Sequence, residues 1–580
     1  MDKGRKYVVM CGIAGFISEG KYNLRDLKRM LCIQSHRGPD YTGVWNSGEI
    51  FLGHNRLSII DITTAGNQPM VFENGRYVLA FNGEIYNYKE LRAQISKRYR
   101  FKSNSDTEVL LYMLIEYGVD ALSMLDGMFS IAFWDNEKEE LLMVRDRFGV
   151  KPLYYHLSDD GLILASEIKA IHEVINCRLP ELSTWASYYT KGLYGTENDT
   201  FWKGIKTIKA GHYLLYSKGK CVEKEWYSFH ERTMELMNSN QFINRSDQEH
   251  IDFYGELLER SINRRFRADV PVGFNLSGGL DSSVLLGSIH RLFKASNDIR
   301  AFTFFCNDDR FDELKWVREM NQNTNKPLYE VMLLAKDVPQ LVDKVSYYQD
   351  EPYGGIPTLA YYLVFKQARE RGTKVLLDGQ GMDEQWAGYD YFHNSLGHVI
   401  QGSKSDPLKS ALLSQEFKVN SSVPDYPKPF DSDLLNLQYR DLFFTKLPRA
   451  LKFNDRISMA NSTELREPFL NFEMVEYAFS LPVHLKVRDG HAKWGLRQIG
   501  LKLFENSIAL APKRAVQTPQ VEWLKGDLKD FVMASIEGLL RKKPEWFDKP
   551  NVDVEVDAFM KGKYDNSFFI WQLINTNTLF

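Results

Sequence analysis

The apolar positions of the chain follow two different rhythms. In the first third, short apolar runs separated by turn residues recur at residues 10–16, 51–57, 76–81, 129–134, 140–144, 153–156 and 162–165. Runs of this length bounded by Gly, Asn and Asp predict β-strands. Apolar residues three and four apart predict helices at 24–33, 88–98 and 107–117, and a hairpin-like segment at 212–226 closes the region. This is an α+β pattern with many antiparallel strands. Residues 233–247, rich in Asn, Ser and Gln, predict a polar linker.

From about residue 252 the rhythm changes to alternation. Strands are predicted at 270–274, 299–305, 328–333 and 374–377, with helices between them at 284–292, 313–321, 338–348 and 359–371. Such alternation implies βαβ units and a parallel sheet with its site at the carboxyl ends of the strands. Beyond residue 406 strands fade, and aromatic-rich helical segments such as 434–451 and 473–481 dominate. There is no internal repeat and no low-complexity tract.

Composition changes this picture little but excludes several classes. With 580 residues there is room for two to four domains. The 44% hydrophobic and 26% charged shares are those of a soluble globular chain, and a net charge of −3 gives no sign of a nucleic-acid or anionic-membrane partner. Five scattered cysteines argue against a disulfide framework and predict a reducing, cytoplasmic compartment. No Cys/His spacing suggests zinc, and no apolar run is long enough to span a bilayer.

The stretch Leu276-Ser277-Gly278-Gly279-Leu280-Asp281-Ser282-Ser283 joins a predicted strand to a predicted helix. A glycine turn opening a helix gathers free backbone N–H groups at the positive end of the helix dipole, which suits phosphate. The lysine of a Walker A loop is missing. Hydroxyls at Ser277, Ser282 and Ser283 stand there instead, with Asp281, a carboxylate suited to magnesium. The octet resembles the pyrophosphate loop of ATP pyrophosphatases, which activate carboxylates as adenylates.

Two further sets of residues extend the resemblance. Cys11, Arg37-Gly38-Pro39-Asp40, Arg56-Leu57-Ser58-Ile59, Asn82-Gly83-Glu84 and Ser105-Asp106 resemble, in order and spacing, the glutaminase domain of class II amidotransferases. Around the loop, Asp378-Gly379-Gln380-Gly381-Met382-Asp383-Glu384, Asp455-Arg456, the block from Glu464 to Leu470 and Lys493-Trp494-Gly495 resemble the synthetase half of glutamine-dependent asparagine synthetases. The resemblance implies an N-terminal nucleophile hydrolase sandwich over 11–215, a junction over 216–247, and an α/β parallel-sheet ATP-pyrophosphatase domain with a helical carboxyl-terminal portion over 248–580.

The same resemblance implies the roles. Cys11 would be the thiol nucleophile, with its own α-amine as proton carrier. Asn82 and the Gly83 N–H would form the oxyanion hole, Arg56 would hold the glutamine α-carboxylate, and Glu84 and Asp106 would take its α-ammonium or neighbouring polar contacts. Leu276, Ser277, Gly278, Gly279, Asp281, Ser282, Phe304, Asp378 and Gly379 would bind ATP. Asp281 and Asp383 would hold Mg²⁺, and Lys493 would stabilise charge as the adenylate forms. The implied partners are glutamine, ATP and a carboxylate acceptor, aspartate by default, with a homodimer by analogy alone. Ammonia would pass between the sites through a buried channel.

Some positions depart from the family pattern. Cys11 must be the first residue for its amine to act, and ten residues precede it. Initiation at Met10 followed by methionine removal would expose the amine, and a cleaved leader is the alternative. Gln380, in the catalytic set, replaces a usual glutamate and cannot act as a base near neutral pH. Asp378, Asn471, the block from Asp350 to Pro357 and the stretch from Arg514 to Pro519 also differ. They resemble variants in surface-polysaccharide clusters, which implies a different carboxylate, such as a uronic acid, as the alternative acceptor. A non-catalytic scaffold would predict losses at Cys11, the loop or Asp383, and all are present. Cys32, Cys177, Cys221 and Cys306 have no accompanying motif and read as structural.

Overall fold

A computed structural model of the protein describes residues 11–195, 198–296, 298–322, 324–392, 407–504, 506–510 and 517–580. Met1 to Met10 and residues 514–516, on which two of the expectations above fall, lie outside the described residues.

The first region is two antiparallel six-stranded sheets packed face to face. One runs Ile205–Thr207, Tyr154–Ser158, Gly161–Ala165, Gly12–Ile17, Ile50–Arg56 and Tyr41–Ser47. The other runs Lys220–Glu225, His212–Ser217, Glu140–Arg145, Gly127–Asp135, Tyr77–Ile85 and Met70–Phe72. Alternate positions along each strand point into the sandwich, so Ile13, Leu52, Val78, Ala80, Ala132, Leu141, Leu164 and Leu214 form one buried layer. The outer faces are covered by helices. Leu24–Ile33 starts at a capping box, in which Asn23 and Asp26 satisfy each other's backbone N–H, and it buries Leu27, Met30 and Leu31. Asp106–Tyr117 covers the second sheet from the N-cap Ser105 onward.

The second region is a parallel five-stranded sheet in the order Leu328–Met332, Ala301–Phe305, Val272–Asn275, Val375–Leu377, Glu464–Arg466. The last of these lies beyond residue 406, where strands were expected to fade, and was not foreseen. Glu464–Arg466 is only three residues long and two of them are charged, so periodicity could not reveal it. It is fully buried because Arg466 donates to Glu464 at 2.6 Å and to the Arg265 carbonyl at 2.7 Å.

Two other expectations are corrected. Residues 434–451 form not one helix but two, Asp433–Phe443 and Lys446–Met459, broken where Phe444 and Thr445 leave helical geometry. Residues 233–247 are not an extended linker. Helices Phe229–Met237 and Asn240–Ile243 run through them and bury Phe229, Thr233 and Phe242.

The two regions share a core. The helix Phe568–Leu579 is buried on nearly every side. Phe580 behind it lies 5.2 Å from Trp185 and 5.6 Å from Trp202, ring centre to ring centre. Gln572 donates to the Tyr188 carbonyl, and Tyr189 bonds Thr576. At roughly 25 cal/mol per Å², burying rings of this size stabilises the contact by several kcal/mol. Among the described residues no helix is long and apolar enough to cross a membrane.

Candidate active sites

Cys11 stands at the start of the strand Gly12–Ile17, its Sγ 3.7 Å from the Leu57 carbonyl. Burial pushes its thiol up to about 12, opposed by the Leu57 contact and the Arg56 charge. Arg56 ends the neighbouring strand and is pinned by the chain itself. Its Nη1 donates to the Thr63 carbonyl at 2.6 Å and to Asn67 Oδ1 at 2.8 Å, and its Nη2 donates to the Asp61 carbonyl. A Cβ on Gly66 would meet Arg56 Nη2 at 2.3 Å, so any larger residue there would displace the guanidinium.

Asn82, Gly83 and Glu84 are consecutive on Tyr77–Ile85, so Asn82 and Glu84 share a face. Both polar atoms of the Asn82 side chain are buried with no hydrogen-bond partner among the described residues. Leaving such a group unanswered costs about 1–3 kcal/mol, which an anionic oxygen accepting from the amide would recover. Gly83 has φ +145°, and a Cβ there would fall 2.0 Å from the Met128 carbonyl oxygen, so only glycine fits. Glu84 Oε1 lies 3.3 Å from Arg466 Nη2 of the second region. Burial, with Glu464 nearby, holds the Glu84 carboxyl well above the usual range. Asp106 accepts from the Ile85 N–H at 2.9 Å, and burial pushes it up to about 6. The charge of Arg56 bears on Cys11, and those of Glu84 and Asp106 bear on Cys11 and on Arg56 respectively.

The second site lies at the carboxyl ends of the parallel strands. The strand Val272–Asn275 leads through the loop into the helix Leu280–Leu292. A pocket of about 360 Å³ is lined by Leu276, Ser277, Gly279, Asp281, Ser282, Phe304, Asp378, Gly379, Gln380, Asp383 and Lys493. The geometry thus gathers these predicted residues from four segments. Within the loop the hydroxyls answer one another. Ser277 Oγ and Ser282 Oγ are 3.0 Å apart, and Ser283 Oγ donates to the Gly279 carbonyl at 2.7 Å.

Lys493 Nζ donates to Asp281 at 2.8 and 2.6 Å and lies 2.7 Å from Asp383 Oδ1. Although burial opposes it, the two carboxylates hold its ammonium well above the usual lysine range. Burial raises Asp378, and burial with Asp383 nearby pushes Glu384 up to about 7. The Tyr389 hydroxyl donates to Glu384 at 2.6 Å.

Sequence reasoning missed Glu313, whose Oε2 accepts the Gly278 N–H at 3.1 Å from 35 positions away. Gly278 is the one predicted loop residue that faces this carboxylate rather than the pocket wall. Asn454 was missed too, and its Nδ2 is 3.5 Å from Asp378 Oδ2. Neither residue belongs to a recognisable motif, so only the folded geometry reveals them. The block from Asp350 to Pro357 and Arg456 belong to the seam between the regions. Lys169 lies 3.2 Å from Asp350, and Arg456 donates to the Ser166 carbonyl at 2.9 Å. Asn471, which departs from the usual aspartate, caps the helix Phe472–Ser480 and donates to Asp126 at 3.2 Å.

Comparison with known proteins agrees with this division. Residues 10–227 match the family model described as a glutamine amidotransferase domain, and residues 254–580 match the one described as asparagine synthase. A Bacillus subtilis protein named asparagine synthetase [glutamine-hydrolyzing] 3 is 29% identical over 89% of this chain and 88% of its own length. The B. subtilis asparagine synthetase [glutamine-hydrolyzing] 2 is 31% identical over 82% of this chain and 68% of its own. Amidase chry2 of Gibberella zeae is 27% identical over 90% of each chain. With a sandwich carrying Cys11 and a parallel sheet carrying the phosphate loop, the chain belongs to the asparagine synthase family and is a glutamine-hydrolysing ligase.

Proposed function

We propose that the chain takes ammonia from glutamine and joins it to a carboxylate activated as its adenylate. Aspartate is the acceptor, and asparagine, AMP and pyrophosphate are the products. The observation that carries the reading is the convergence of Asp281 and Asp383 on a single cation position, beside a loop built for phosphate.

In the first site the Cys11 thiolate attacks the side-chain carbonyl carbon of glutamine. Asn82 Nδ2 and the Gly83 N–H meet the oxyanion, ammonia leaves, and water releases glutamate from the thioester. Arg56, already oriented by three acceptors, offers its remaining N–H groups to the α-carboxylate. Glu84 and Asp106 are the acceptors for the α-ammonium. The α-amine of Cys11 carries the proton, so this half of the reaction needs a chain that starts at Cys11. Intact mass of the natively expressed protein checks that point.

In the second site the loop N–H groups receive the phosphates of ATP. The acceptor carboxylate attacks the α-phosphorus, pyrophosphate leaves, and ammonia then displaces AMP from the acyl carbon. Lys493 lies where negative charge grows on the phosphates. The residues fit a magnesium ion. Two carboxylates already meet at one cation, and no larger acidic or His/Cys group forms among the described residues, so phosphate and water oxygens would complete the shell. Bound there, magnesium would neutralise phosphate charge.

A second reading keeps this chemistry and changes the acceptor to another acid, such as a sugar uronate. Gln380 favours it, because an amide lines the pocket where the family pattern has a carboxylate. The test is release of AMP and pyrophosphate from ATP, with glutamine, against a panel of carboxylic acids. Turnover with aspartate supports the first reading, and turnover with uronates but not aspartate replaces it with the second. No release with any acid overturns both.

A further inference from the structure

Cys11 offers a backbone carbonyl as well as a thiol, and that carbonyl is held by Arg37. The Arg37 Nε donates to it at 3.1 Å. Arg37 ends the short turn Ser35–Arg37 and is fully buried. The turn cannot shift, because Gly38 presses so closely on the strand Ile50–Arg56 that a Cβ would lie 2.1 Å from the Asn55 carbonyl carbon.

The rest of the guanidinium faces carboxylates on both sides of the seam. Nη1 donates to Glu167 Oε1 at 3.1 Å within the first region. Nη1 and Nη2 also fork onto Asp455 Oδ2 and Oδ1 at 2.9 and 3.2 Å. Asp455 sits on the helix Lys446–Met459 of the second region, 418 positions from Arg37. It is 6% exposed, and Lys151 Nζ lies 3.8 Å away. The preceding residue, Asn454, reaches Asp378 in the ATP pocket.

A two-pronged pair between guanidinium and carboxylate fixes the plane of the guanidinium as well as its position. Glu167 meets only one nitrogen, so the two-pronged hold that sets the aim of Nε at Cys11 comes from Asp455. Holding the carbonyl sets the peptide plane between Cys11 and Gly12. That in turn sets the Cα from which both thiol and α-amine extend. We propose that Asp455 is a positioning residue for glutamine hydrolysis, acting through Arg37, so that the first site is incomplete without the second region. The inference rests on the reading of Cys11 as the nucleophile.

The test compares the wild type with Asp455→Asn, Arg37→Lys and the double variant, each as the full protein. Glutamate release is followed against glutamine concentration, and Mg-ATP affinity is measured by calorimetry. Misplacing a reacting group by about 1 Å costs about 100-fold, so Asp455→Asn should lower kcat by about 10- to 100-fold. KM should stay within about twofold, because the glutamine contacts are untouched, and Mg-ATP affinity should be unchanged. Arg37→Lys keeps the charge and loses the fork, so it should fall similarly, and the double variant should fall no further than the worse single one. A wild-type kcat in Asp455→Asn, or additive losses, would overturn the proposal. So would a joint loss of ATP affinity, which marks general damage to the fold. A wild type that releases no glutamate sinks the reading of Cys11 and this contact with it.

Discussion

The two sites meet the absence of their ligands in opposite ways. At the Cys11 end polar groups go unanswered, and the Asn82 amide is buried with no hydrogen-bond partner among the described residues. At the loop end two of the groups proposed to meet a ligand already have a substitute from the chain. Glu313 takes the Gly278 N–H as a phosphate oxygen would, and Lys493 fills the cation position between Asp281 and Asp383. The difference teaches how each site would be filled. The first needs only insertion of a substrate into standing geometry. The second must trade internal ion pairs for external ones, so its affinity is a difference between two similar sets of charges.

The largest test of this contrast separates the two ends outright. Cys11→Ala should abolish glutamine-dependent AMP release while added ammonia still supports it. Lys493→Met should do the reverse, keeping glutamate release and losing AMP formation by at least about 100-fold. Next in size, Asn82→Ala should cost about 100- to 1,000-fold in glutamate release, as removal of an oxyanion donor does. Because the alanine removes an unanswered buried amide, the variant should melt no lower than the wild type, which differential scanning calorimetry would show. Smaller again, Glu313→Gln should tighten ATP binding by a few-fold, since a neutral amide competes less well for the Gly278 N–H. An affinity equal to the wild type's would remove the contrast at that point.

A separate effect falls on stability rather than on turnover or affinity. Burial raises Glu384 to about 7 from an ordinary 4.5. The folded state therefore prefers its protonated form. Stability from this group is greatest below about pH 4.5 and falls as pH rises toward 7, by about 3 kcal/mol at most. Glu384→Gln should flatten that slope in urea unfolding followed across the window.

What could be read from the sequence follows from how local each signal is. The helix Leu24–Ile33 was legible to its ends, because its amphipathic spacing lies wholly within it. The loop between the strand Val272–Asn275 and the helix Leu280–Leu292 was legible because its residues are consecutive. Strand Glu464–Arg466 was not, since its polar residues are buried only through partners such as Arg265 and Glu84, far away in the chain. The split at Phe444 and Thr445 was hidden by apolar residues that continue the helical pattern through the break. Asn82, Gly83 and Arg56 were legible as a motif, whereas the unpaired state of the Asn82 amide and the loop that pins Arg56 exist only once distant segments meet. Arg37 was visible as part of a motif, but its tie to Asp455 was not, because no pattern in either neighbourhood points to the other.

The helix Phe568–Leu579 bears on synthesis as well as stability. Tyr189 and Thr576 bond across 387 positions. At about 5–20 residues per second, a ribosome needs about 20–80 s to travel that far. Throughout that interval Trp185, Tyr188 and Trp202 lack the cover of this helix and of Phe580, and a nascent chain exposing them is a substrate for chaperones. Chains truncated before Phe568 should be cut by protease around these aromatic residues, and full-length chains should not. The last helix is in this sense a seal, applied only when translation of both sites is done.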